Sequence, residues 1–274
     1  MEIDRVLLAF GLTLIAGLAT GIGSLLAILL KKTSYRFLSL ALGFSAGFMI
    51  YVSMVDIFSE ARRSLSEHLG EMRGSWLTIA AFFGGMLLIG LIDRWVPDVE
   101  NPHHLRHIEQ MAPDASPLII LANNEKLMRV GLMSAVAIAI HNFPEGLATF
   151  TAALQSPTLG IAITVAIALH NIPEGIAVAV PIYRATGSRR KAFTISLLSG
   201  LSEPLGALIA WLILAPFINN LTMGIMFAFV AGIMVYISLD ELLPAAREYG
   251  SPHLAIAGVI GGMMIMAVSL QLFL

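Results

Sequence analysis

The stretch Ala137-Ile-Ala-Ile-His141-Asn-Phe-Pro-Glu145-Gly146 returns 29 residues later as Ala166-Ile-Ala-Leu-His170-Asn-Ile-Pro-Glu174-Gly175. Only Ile140/Leu169 and Phe143/Ile172 differ between the copies, and both exchanges are apolar for apolar. His, Asn and Glu are each costly to bury in hydrocarbon, so two such clusters inside apolar runs point to a built intramembrane site. On a helix, positions i and i+4 share a face, so His141 points with Glu145 and His170 with Glu174. Asn142 and Asn171 stand one position round, within reach of the same glutamates. Pro144 and Pro173 cannot donate to the carbonyls of Ile140 and Leu169, which predicts a kink and loosened backbone beside each cluster. Gly146 and Gly175 leave room for a facing helix.

The surroundings define the medium. Of 274 residues, 57% are hydrophobic and 12% charged, against about 25% charged in soluble domains. The mean hydropathy is +0.84. The chain reads as an all-α polytopic membrane protein forming one transmembrane domain over 1–274. Unbroken apolar runs exclude a β-barrel, which needs alternation. Eight spans are expected at roughly 6–30, 36–59, 76–95, 128–154, 157–183, 192–215, 222–244 and 253–273. The net charge of −2 implies no nucleic-acid partner, and the absence of cysteine excludes disulfides and thiolate ligands. The opening Met1-Glu2-Ile3-Asp4-Arg5 lacks a basic n-region, so the first span is expected to be retained.

With the N-terminus outside, the inward connections carry twelve Lys and Arg and the outward ones four. This favours both termini on the extracytoplasmic side of the cell membrane. Three of the four dissenting charges, Arg62, Arg63 and Arg73, fall in the 60–75 connection. The 96–127 connection, with four prolines and with His103, His104 and His107, reads as a flexible cytoplasmic loop. Its histidines are loop metal candidates, and a merely hydrophilic loop is the equal alternative.

Spans 4 and 5 are joined by the short Ser156-Pro157 turn, so they run antiparallel. His141 and His170 each lie about 13 residues into their span, near mid-membrane. An approximate two-fold axis in the membrane plane then relates the copies, as in inverted-repeat transporters. Glu203 enters from span 6 at similar depth. Asp56 and Glu60 share a face near the outer end of span 2, where interfacial solvation and a cation-attracting mouth are both open readings. Asp240 and Glu241 close span 7 near the inner surface. Met49 lies about two turns below Asp56 and is more often core filler than a ligand.

Glu145, Glu174 and Glu203 have no Lys or Arg nearby in the span cores, so protons or bound cations must neutralise them. Imidazole nitrogen with carboxylate oxygen suits Zn²⁺ and its first-row neighbours; Ca²⁺ and Mg²⁺ prefer all-oxygen cages. Structural hydrogen bonding between helices and a Glu/His proton relay are the rival readings. A membrane-embedded zinc metalloenzyme is the alternative from another class, but no His-Glu-x-x-His is present. No Gly-x-x-x-x-Gly-Lys-[Ser/Thr] loop points to ATP use, and no prosthetic group is implied.

At the paired motif, Glu203, and Asp240-Glu241, the chain resembles ZIP (Zrt/Irt-like) family divalent metal transporters of the bacterial branch. The resemblance covers essentially the whole chain. It implies a 3+2+3 inverted repeat and import of Zn²⁺, with Fe²⁺, Mn²⁺, Co²⁺ and Cd²⁺ as further substrates. It implies a paired site for two ions. One position would use His141, Glu145, His170 and Glu174, with Met49 nearby. The other would use Asn142, Glu145, Asn171, Glu174 and Glu203. Asp56 matches the entrance, with Glu60 just beyond it, and Asp240 and Glu241 match the exit. Some relatives carry Gln where His170 stands and Asp where Asn171 stands, a departure that bears on the second position. A homodimer, and a unit of spans 1, 4, 5 and 6 sliding against the rest, also follow from the resemblance.

Overall fold

The computed structural model describes residues 3–29, 35–94, 117–214 and 219–272. Among them every regular element is helical. Eight helices are long and apolar enough to cross a membrane: Ile3–Leu29, Arg36–Leu69, Glu71–Ile92, Leu127–Gln155, Pro157–Thr186, Arg189–Ile213, Asn220–Arg247 and Pro252–Gln271, here spans 1 to 8. A backbone in hydrocarbon must satisfy its own hydrogen bonds, and helices do so locally.

Two boundaries differ from the sequence reading. Span 2 runs ten residues past position 59, to Leu69. The 60–75 connection is therefore mostly helix, turning at Gly70, whose φ of 84° favours glycine. The extension is amphipathic: Ala61, Ser64 and Leu65 are buried, while Arg62 and Arg63 are exposed. Its apolar stripe has packing partners on spans 3 and 7, which carries the helix beyond its hydrophobic stretch. The helix containing span 4 begins at Pro117, so 117–127 is helical rather than loop. Proline at a first helical position costs no hydrogen bond. His103, His104 and His107 lie outside the described residues.

Spans 1, 4, 5 and 6 pack on one another, as do spans 2, 3, 7 and 8. The two bundles meet chiefly where span 2 crosses span 5 and span 4 meets span 7. The outward surface is apolar, with Leu14, Ile15, Leu18, Ile22, Leu87, Leu91 and Ile260 exposed. The interior holds the polar side chains, among them Thr13, Thr20, Ser24, Ser45, Asn142, Glu145, His170, Asn171, Glu174 and Glu203. That inversion is what a lipid solvent demands.

Three spans depart from α-geometry at one turn each. Val52–Ile57 in span 2, Ala210–Leu214 in span 6 and Ser238–Leu242 in span 7 are π-helical. Such turns are frequent at functional sites. In span 6 the α-helix also breaks at Leu201, because Pro204 has no N–H for the Gly200 carbonyl.

Candidate metal site

The duplicated motif meets itself at the contact of spans 4 and 5. His170 Nε2 of the second copy lies 3.1 Å from Glu145 Oε1 of the first. Both side chains are fully buried. A buried carboxylate is tolerated only when donors or cations face it, and each of the three acids here has a donor. Glu174 Oε1 accepts from Ser45 Oγ at 3.5 Å. Glu203 Oε1 accepts from Asn171 Nδ2. Asn171 Nδ2 also donates to the Ala16 carbonyl at 3.0 Å, tying span 5 to span 1. Asn142 Nδ2 reaches the Ser199 carbonyl of span 6 at 3.4 Å.

Glycines set these depths. A Cβ on Gly146 would overlap the Glu203 carbonyl, and one on Gly175 would overlap the Thr20 carbonyl. The first seats the backbone of Glu203 against span 4. The second seats span 1 against span 5. Both helices run through Pro144 and Pro173 as continuous α-helix. Beside Pro173, Ser45 Oγ donates to the His170 carbonyl at 3.1 Å, a neighbour of the Leu169 carbonyl that the proline leaves without its donor.

Of the residues singled out from sequence, Glu145, His170, Asn171, Glu174 and Glu203 are brought into mutual contact or share a bonding partner, and Asn142 is buried beside them. The helix places His141 one turn before Glu145; its side chain lies outside the described residues. Met49 is fully buried, one turn beyond Ser45 on the same face of span 2. Among the described residues no three His, Asp or Glu side chains converge as a ready metal cage. The arrangement is a chain of protein-held acids instead. The oxygens Asn142 Oδ1, Asn171 Oδ1 and Glu203 Oε2 are buried without a hydrogen-bond partner. These oxygens, with the Glu145–His170 pair, supply the mixed nitrogen–oxygen donors that borderline divalent metals take.

Asp56 lies within the π-helical turn of span 2 and Glu60 in the first turn of the α-helix after it, both half-buried. Asp240 and Glu241 lie within the π-helical turn of span 7, also half-buried. A second repeat, overlooked in the sequence reading, joins these turns. Met49-Ile-Tyr-Val-Ser53 and Met234-Val-Tyr-Ile-Ser238 share three of five residues, with Asp56 and Asp240 following three and two positions on. An even-numbered and an odd-numbered span cross in opposite senses, so the two acid-bearing turns stand toward opposite membrane faces. Ser45 was also missed; a lone serine in an apolar span gives no signal by itself.

An apolar cleft of about 910 Å³ lies on the other side of span 4, walled by Phe143, Pro144, Leu147, Met226 and Phe229 among others. Its lining carries no acid or imidazole, so it has no part in the chemistry of the buried cluster.

A family model described as "ZIP Zinc transporter" matches residues 98–270. A protein named zinc transporter ZupT from Oceanobacillus iheyensis is 61% identical over 269 residues, covering 98% of this chain and 99% of the relative. One of the same name from Streptococcus mutans is 62% identical over 266 residues, covering 97% of each. Another from Nitratidesulfovibrio vulgaris is 59% identical over 272 residues, covering 98% of each.

Proposed function

Because this chain belongs to the ZIP family of zinc transporters, we propose that it carries Zn²⁺ across the cell membrane into the cytoplasm through the buried cluster of spans 4, 5 and 6. The observation that carries this reading is the 3.1 Å pair of His170 and Glu145, which joins the two motif copies at zero exposure. Glu174 and Glu203 extend that pair into a string of acids, each held by an exchangeable neutral donor.

In this mechanism an arriving cation replaces the protein donors one at a time. At the first position, Glu145 and Glu174 turn their oxygens from His170 and Ser45 to the metal, and the imidazoles of His141 and His170 ligate through a neutral nitrogen. Met49 stands by as a soft neighbour on span 2. At the second position, the amide oxygens of Asn142 and Asn171 join Glu203. The two repeat glutamates belong to both positions, so an ion can pass between them without meeting bare hydrocarbon. Weak, shared ligands let metal leave, whereas a closed tetrahedral cage would trap it. Nitrogen–oxygen donors without thiolate also admit Fe²⁺, Mn²⁺, Co²⁺ and Cd²⁺.

Asp56 and Glu60 form the entrance, and Asp240 and Glu241 the exit, with both termini extracytoplasmic and the connection that carries His103, His104 and His107 on the cytoplasmic side. The repeated Met-x-Tyr-x-Ser segments of spans 2 and 7 support an inverted 3+2+3 arrangement around spans 4 and 5. A homodimer is the expected assembly. The test is zinc flux into proteoliposomes containing the purified chain, against a panel of competing metals and an imposed pH gradient. Dye-reported uptake that saturates with zinc supports the proposal. Binding without flux, or hydrolysis of a peptide or lipid without flux, sinks it.

A further inference from the structure

Glu60 makes a side-chain bridge between the two bundles, away from their main crossings. One of its carboxylate oxygens accepts from Gln155 Nε2 at 3.1 Å, and the other is paired with Arg63 Nη2. Glu60 belongs to span 2, in the bundle of spans 2, 3, 7 and 8. Gln155 is the last residue of span 4, in the bundle that holds the buried cluster. The carboxylate is largely covered, its side chain 13% exposed, while that of Arg63 is 66% exposed. Asp56 Oδ2, one helical turn before Glu60, and Ser53 Oγ, nearly two turns before it, are buried without hydrogen-bond partners.

We propose that Glu60, Arg63 and Gln155 form a latch that closes the Asp56 end of the pathway and must open for each ion that enters. Arg63 acts as a tethered stand-in for the cation. Its guanidinium occupies the carboxylate that an incoming divalent ion needs, and the ion has to displace it. The Gln155 amide is the mechanical half. Any movement of span 4 along span 2 breaks its bond to Glu60, so the bundles part at this end only when the latch is released. Metal on Glu60 would favour release, because a carboxylate shared with a divalent cation is a poorer acceptor for a neutral amide. The proposal rests on the reading that metal passes between the bundles at this end.

Arg62 provides the control. It carries the same charge one residue away, yet its partners are Glu71 at 2.7 Å and Ser75 at 3.2 Å, not Glu60. Zinc uptake into proteoliposomes is measured for Arg63→Ala, Arg63→Lys and Arg62→Ala. Exposed ion pairs hold modest energies, so Arg63→Ala is expected to lower KM by about twofold to fivefold with Vmax held. Arg63→Lys restores the wild-type KM, and Arg62→Ala leaves it unchanged. An unchanged or raised KM for Arg63→Ala overturns the latch, as does an equal fall for Arg62→Ala, which would mark a general surface-charge effect.

The second arm uses the cysteine-free chain. A Glu60→Cys/Gln155→Cys double variant is cross-linked with a short bis(methanethiosulfonate), which forms a disulfide to each cysteine and releases two methanesulfinates; the bridge is verified by mass, and flux is compared before and after reduction. Uptake arrested by the bridge and restored by reduction supports the latch. A bridged protein that transports at its reduced rate refutes it. Wild-type proteoliposomes that move no zinc at all would instead refute the transport reading.

Discussion

The two copies of His-Asn-x-Pro-Glu-Gly are nearly the same sentence placed in different company. The copy on span 5 is enclosed: His170, Asn171, Pro173, Glu174 and Gly175 are all buried, with span 1 against Gly175 and Ser45 of span 2 on the His170 carbonyl. The copy on span 4 is enclosed on one side only. Asn142, Glu145 and Gly146 face spans 5 and 6, while Phe143 and Pro144 wall the apolar cleft toward spans 3 and 7. The asparagines carry the contrast furthest. Asn171 donates to two acceptors on two other spans, whereas Asn142 has one long bond to Ser199. Identical residues therefore do different work. The span 5 copy is the hub that ties spans 1, 2 and 6 to the cluster, and the span 4 copy supplies the acid that hub holds.

The sharpest way to break this contrast is at the shared acid. Glu145→Ala is expected to abolish zinc uptake while the protein still purifies as a folded species, because it removes the carboxylate that pairs with His170 Nε2 and the proposed ligand shared by both metal positions. Uptake at wild-type rate would remove Glu145 from the pathway. Next in size is Glu203→Gln compared with Glu174→Gln. Both keep shape and lose charge, and we expect each to lower zinc uptake by about tenfold to a hundredfold, as loss of groups around metal sites does. A Glu203→Gln chain with full uptake but altered metal preference would assign that residue to selectivity instead.

The asparagines then weigh the two copies directly. Asn171→Ala leaves a buried glutamate and a carbonyl without their donor, at about 1–3 kcal/mol. Asn142→Ala gives up one bond at marginal length and should cost less than about 1 kcal/mol. Thermal unfolding in detergent with matched lipid checks this order, and equal shifts would erase the hub. The smallest effects come from exchanging the differing positions. Ile172→Phe crowds the side already closed by span 1, an overpacking of about 1–3 kcal/mol, while Phe143→Ile merely widens the cleft. The same unfolding measurement should find the first variant clearly the less stable.

Much of this was legible without coordinates, and the reasons are local ones. Span number follows from runs of apolar residues long enough for hydrocarbon. The meeting of His170 with Glu145 follows from helical period, a short Ser156-Pro157 turn and equal depth in two antiparallel rods. The acids of spans 2 and 7 fall in the second half of each helix, where the apolar run gives way to polar residues. One local signal was present and overlooked: the Met-x-Tyr-x-Ser pair of spans 2 and 7, whose two exchanges are aliphatic for aliphatic. The length of span 2 misled for the opposite reason, since its last turns are polar on one face and gain their stability from spans 3 and 7.

By itself, then, the amino-acid order determined eight helices, a duplicated polar cluster at mid-depth, and a donor set suited to divalent metal. Only the tertiary structure decided that Ser45 holds Glu174, that Asn171 bridges Ala16 and Glu203, and that Gln155 reaches Glu60. The physical reason is range. Hydropathy and helical period act over a few turns, whereas Ala16 and Asn171 stand 155 residues apart, and no property of either segment names the other until packing brings their backbones together.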